Sequence, residues 1–147
     1  MLEEHIYQDY VNALKQKDRP KADFLSFIRG ALKNRAIELK TQRLDDAETL
    51  GVLAKQKRQL QDARQSIVPS GRTDMLEKTD RELAILEGYL PRLLEEQELV
   101  AVIEEAIAQL GASSMKDMGR VMKEVLGRVG VSAEAQTVSA LVKKRLS

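Results

Sequence analysis

The sequence predicts an all-α protein, with an N-terminal helical domain of about four helices over residues 1–91 and a small three-helix domain over 92–147. Three observations carry that expectation. The chain is rich in Ala, Leu, Glu, Lys, Gln and Arg, the good helix formers, while only 3 prolines and 8 glycines interrupt its 147 residues. Its apolar residues recur at three- and four-residue steps rather than alternating. The three prolines, Pro20, Pro69 and Pro91, fall at the ends of those periodic runs.

The first helix follows from Leu2, Ile6, Tyr10, Ala13 and Leu14, which share one side and give way to KQKDRP. Pro20 is placed to open the second helix, because proline has its φ preset for the first turn and no N–H to leave unpaired there. Phe24, Phe27, Ile28, Ala31, Leu32 and Leu39 form the apolar face of that helix, and core packing is expected for both phenylalanines. Arg29, Lys33 and Lys40 fall within about 40° of one another on the opposite side, as a basic stripe.

LDDAE supplies capping carboxylates for a third helix. Leu50, Leu53, Lys57, Leu60, Arg64 and Ile67 follow a 3,4 rhythm with two cations in it, so the seam is expected to be half-buried, with long stems packed and charges in water. Pro69 and Gly71 in VPSGR are expected to break the chain. A fourth helix through Leu76, Leu83, Leu86 and Leu90 ends at Tyr89-Leu90-Pro91, since the residue before proline is pushed out of helical geometry. YLP is the expected domain boundary.

Beyond it, helices are expected at about 95–110, 115–128 and 133–146. Gly111 closes the first, and Ser114 with Asp117 stands at capping-box spacing before the second. The first carries Glu95, Glu96, Glu98, Glu104 and Glu105 and no base, whereas Lys116 onwards holds seven bases against three acids. In the second, Met118, Val121, Met122 and Val125 take one side, and Lys116, Gly119, Arg120, Lys123 and Gly127 the other. Gly119 then sits inside a helix, at a cost of about 1 kcal/mol against Ala. Either a close helix contact or the approach of an anionic backbone between cations would account for it. Lys143, Lys144 and Arg145 complement the C-terminal dipole of the last helix.

Composition excludes several function classes. The net charge of +1 gives no overall field towards nucleic acid or membrane, so a charged partner must be met by a local patch. Without cysteine there is no disulfide, thiol nucleophile or thiolate metal site, which fits a cytoplasmic protein. The N-terminus lacks the basic start and apolar run of a signal peptide, and no segment is long enough to span a membrane. His5 is the only histidine, is expected at a fraying end, and has no readable partner cluster. No phosphate-binding loop, dinucleotide fingerprint or HExxH pattern occurs, and Ser113 and Ser114 are explained as helix caps. No catalytic residue, metal or cofactor is expected.

GRTDMLEKTDRELAILEGYLP, KDMGRVMKEV and TVSALVKKRL, in that order, give the chain a full-length resemblance to the YqeY-like proteins. The C-terminal half of that family resembles the tail domain of the B subunit (GatB) of glutamine-dependent aminoacyl-tRNA amidotransferase. Leu93, Glu95 and the run Ala133-Glu134-Ala135 depart from the family pattern. The resemblance implies an all-helical two-part fold and a link to tRNA, with an amidotransferase or a synthetase as a further partner. It also carries the family label of carbon-nitrogen ligase with glutamine as amido donor. The expected function is therefore a non-catalytic tRNA-binding or amidotransferase-associated module. Lys116, Arg120 and Lys123 would meet phosphates beside Gly119, Lys143 and Lys144 would extend the patch, and Arg29, Lys33 and Lys40 would add a second contact. The alternative is a protein-interaction scaffold in which the Lys57–Arg64 seam receives a partner helix or a second copy. Intrinsic ligase activity ranks third.

Overall fold

The computed structural model describes residues 1–147 as seven α-helices and no strand. They run α1 (Leu2–Lys15), α2 (Arg19–Glu38), α3 (Asp46–Ser70), α4 (Thr73–Tyr89), α5 (Glu96–Leu110), α6 (Met118–Val129) and α7 (Ala135–Leu146), with single 3₁₀ turns at Met115–Asp117 and Gly130–Ser132. The chain divides into two compact units, Met1–Leu90 and Pro91–Ser147.

In the first unit α1 packs on α2 and α3 packs on α4. Their shared core holds Ile6, Phe24, Leu25, Ile28, Leu32, Leu44, Leu53 and Leu86. Local chemistry starts the helices where the sequence signals it. Asp18 caps α2 by accepting the Lys21 N–H, with Pro20 in the first turn, and Asp45 caps α3 by accepting the Glu48 N–H at 2.7 Å. Two long-range bonds tie α1 to the start of α3: Glu3 accepts the Leu44 N–H at 3.0 Å and Asp46 accepts the Leu2 N–H at 2.9 Å.

Several expectations are corrected here. α3 runs through Pro69 to Ser70, because a proline in the last turn forfeits one hydrogen bond at a place where carbonyls are already running out of partners. Gly71, at φ 71°, ends the helix instead. α2 stops at Glu38, and Lys40 adopts left-handed φ of 55°. Its N–H donates to Ile37 O and the Thr41 N–H to Ala36 O, both at 3.0 Å, which is a Schellman closure with lysine in the glycine position. Lys40 therefore leaves the face that holds Arg29 and Lys33. Phe27 is 59% exposed and stacks on Phe24, while Leu14 and Leu39 also face solvent. The apolar arc of α2 is wider than the surface that α1, α3 and α4 present to it.

The α3 seam is half-buried as its pattern predicts, but it is not vacant. α4 fills it, with Lys57 4.0 Å from Glu87 and Arg64 2.7 Å from Asp80. α4 thus covers part of the surface on which the alternative scaffold reading rests, while Leu60 still lines an open groove beside Phe24 and Phe27.

In the second unit α5, α6 and α7 all pack on one another around Leu99, Ile103, Ala106, Val121, Val125, Val129, Val138, Val142 and Leu146. Gly111, at φ 63°, ends α5. At the start of α5, Glu95 occupies the cap position and its N–H donates to the Glu98 carboxylate at 3.2 Å. The Leu94 N–H donates to Ser132 O at 2.8 Å, pinning the lead-in strand of chain to the α6–α7 link.

Candidate nucleic-acid interface

α6 is divided lengthwise: Val121, Val125 and Val129 are buried in the core, while Gly119, Arg120, Lys123 and Gly127 are exposed on the opposite side. Its start differs from the sequence expectation. Met115–Asp117 wind as a 3₁₀ turn, so Gly119 is the second residue of α6 rather than an interior one. The Ser114 hydroxyl makes no cap bond. Asp117 organises the turn instead, accepting the Ser113 N–H at 3.0 Å and the Arg120 guanidinium at 2.7 Å. A Cβ added at Gly119 would meet no atom within 4 Å, which excludes the close helix contact as the reason for this glycine.

The Ser113 N–H and then Arg120 hold the Asp117 carboxyl below the usual carboxylate range. A depressed carboxylate contributes stability that is present above its unfolded pKa and lost as pH falls through the folded value. The stability difference between the wild type and Asp117→Asn is therefore expected to be constant near neutral pH and to shrink below about pH 4. Urea titrations at several pH values measure it, and a difference that stays level into acid contradicts the role given to Asp117.

The cations of this unit sort by type. Arg92 pairs with Glu98, Arg120 with Asp117, Arg128 with Glu105 and Glu124, and Arg145 with Glu104. Lys116, Lys123, Lys143 and Lys144 are exposed and none of them is in an ion pair. The acid-rich α5 thus engages arginines of α6 and α7 and leaves the lysines free. α6 and α7 lie side by side across a short link and so run antiparallel, and the 3₁₀ turn before α6 touches α7. Lys116 is consequently at the same end of the unit as Lys143 and Lys144, with Gly119 beside it. Of the residues expected at the interface, Arg120 is committed to Asp117.

Arg29 and Lys33 lie in the first unit, one turn apart on α2, and line a groove between α1 and α2. The Arg29 guanidinium carbon sits 4.6 Å from the Tyr7 ring centre and 5.1 Å from that of Tyr10. Arg43, from the α2–α3 link, lines the same groove, and Lys40 does not. Sequence reasoning passed over Tyr7, Tyr10 and Arg43, because the contacts join segments about twenty residues or more apart. The one available signal was the pair Tyr7 and Tyr10 at i, i+3 on α1, the first exposed and the second half-buried at the edge of the core.

His5 also gains neighbours the sequence did not reveal. Its Nε2 is 3.3 Å from Asp9, its ring meets the edge of Tyr89 at 5.8 Å, and the Tyr89 hydroxyl donates to Asp9 at 2.5 Å. Burial first, then the Asp9 bond, raises the Tyr89 phenol pKa. This hydroxyl pins α4 to α1.

No helix of the protein is long and apolar enough to cross a membrane. A search of the curated proteins found no match. The model of one protein family, described as Yqey-like protein, matches residues 3–146. With nearly the whole length matched and an all-helical fold, the chain belongs to the YqeY-like family.

Proposed function

We propose that this protein is a non-catalytic tRNA-binding module that works alongside tRNA-handling enzymes such as an amidotransferase. The observation that carries this reading is the division of cations in Pro91–Ser147: all the arginines are held in ion pairs and all the lysines are unpaired at the surface. An unpaired lysine is a mobile point charge suited to phosphate, and phosphate contacts fix position without reading bases. Gly119 supports the same reading, since it is exposed and a Cβ added there would meet nothing within 4 Å, which leaves room for a phosphate to approach the backbone.

Binding of this kind is expected to weaken steeply with salt and to discriminate little between sequences. A fluorescence titration of the full chain against tRNA at about 50 and 200 mM salt tests it. The double variant Lys116→Glu, Lys123→Glu should bind at least about tenfold more weakly, since each reversal replaces an attraction by a repulsion. Gly119→Ala should leave stability unchanged or raise it by less than about 1 kcal/mol while weakening RNA binding. Absence of binding at the lower salt, or equal affinity in the charge-reversed protein, overturns the reading.

A further inference from the structure

The groove between α1 and α2 has features that the packing of the first unit does not require. Arg29 is held against two tyrosine rings with no acid within ion-pair distance, and Lys33 and Arg43 are equally unpaired. A guanidinium stacked on aromatic faces keeps its N–H edge free, and that planar fork suits bidentate bonds to phosphate oxygens. Lys33 lies one turn beyond Arg29, about 6 Å along the helix axis, so the two cations can serve successive phosphates rather than one. The groove encloses about 830 Å³, within the size range of small-ligand sites. Of the acids lining it, Glu3 is occupied by the Leu44 N–H, and Glu4 has no bond to the fold.

We propose that this groove binds a run of closely spaced phosphates, gripped by Arg29, Lys33 and Arg43, with Tyr7 and Tyr10 as positioning residues for Arg29. The phosphates come either from an RNA backbone or from a free polyphosphate, and the chemistry of recognition is the same for both. Every residue lining the groove belongs to Met1–Leu90, so the site does not depend on the lysines of the second unit. Glu4 opposes the ligand, so neutralising it strengthens binding, an effect of opposite sign to that of neutralising a cation.

The test titrates the full chain calorimetrically with sodium tripolyphosphate and fluorimetrically with tRNA. Arg29→Gln and Lys33→Gln should each weaken binding about tenfold, the loss typical of one charge-assisted bond. Glu4→Gln should tighten it severalfold. The Lys116→Glu, Lys123→Glu protein should bind tripolyphosphate like the wild type, so failure of the proposed tRNA interface and failure of this groove give different results. A loss with both probes assigns the groove to RNA, and a loss with tripolyphosphate alone assigns it to free polyphosphate; either supports the site. Lys33 is exposed and makes no ion pair, so Lys33→Gln keeps the fold even if Arg29→Gln loosens α1. If neither probe distinguishes Lys33→Gln and Arg29→Gln from the wild type, with thermal melts that coincide, the site is disproved.

Discussion

Ile103→Ala should destabilise Pro91–Ser147 by about 3–4 kcal/mol, enough to unfold that unit at ordinary temperature. Ile103 lies on α5 with no exposed surface, in the cluster where α6 contributes Val121 and Val125 and α7 contributes Val138 and Val142. Truncation removes three carbons from a site enclosed by all three helices, so the loss combines transfer free energy with a cavity that cannot easily collapse. A unit of roughly 60 residues has a small margin, because it buries only about 60% of its unfolded surface. Urea denaturation followed by circular dichroism should therefore show part of the helical signal lost before the transition of the rest. Leu93→Ala, at a side chain 41% exposed, is the control and should cost under about 0.5 kcal/mol. If Ile103→Ala costs no more than the control, the assignment of the core is wrong. The same unfolding would scatter Lys116, Lys123, Lys143 and Lys144 and so weaken tRNA binding without touching a charge.

Lys17→Gly combined with Lys40→Gly should stabilise the first unit by about 2 kcal/mol. Both lysines have left-handed φ, 56° and 55°. Each closes a helix in the same way: the Lys17 N–H donates to Leu14 O and the next N–H, of Asp18, to Ala13 O, repeating at the end of α1 the pattern at Lys40. An L side chain there crowds its own backbone at a cost of about 1–2 kcal/mol, which glycine avoids, less a few tenths for its greater freedom when unfolded. Both side chains are exposed and neither is in an ion pair, so little is lost with them. Thermal melts of the single and double variants measure the gain, which should be additive because the two turns lie at different helix ends. A fall in melting temperature for both singles contradicts it. Lys40→Gly has a second use: Lys40 lies off the face of Arg29 and Lys33, so its loss should leave tripolyphosphate binding as it was.

Much of the helical framework was legible because its signals are local. Pro20, the LDDAE carboxylate Asp45, Pro91 and Gly111 each act within a turn of where they stand, and α2, α3, α4 and α5 begin or end beside them. Where a local signal was misjudged, the competing term was also local. Pro69 costs little in a last turn, and the 3₁₀ turn at Met115–Asp117 moved the start of α6 by one turn and placed Gly119 at its beginning. The candidate sites were legible only as residue types. Lys116, Lys123, Lys143 and Lys144 could be named from the sequence, but not the fact that the arginines around them are consumed by acids.

The sequence by itself determined the all-α class, the family and the two-sided character of α6, because helix propensity, capping and 3.6-residue periodicity are properties of neighbouring residues. The tertiary structure alone decided which charges are free and which apolar residues are covered. Arg145 meets Glu104 across 41 positions, Arg29 meets Tyr7 across two helices, and Phe27 stays uncovered beside the buried Phe24. Such pairings depend on how helices cross, and crossing is set by the packing of whole faces, which no short window of sequence contains.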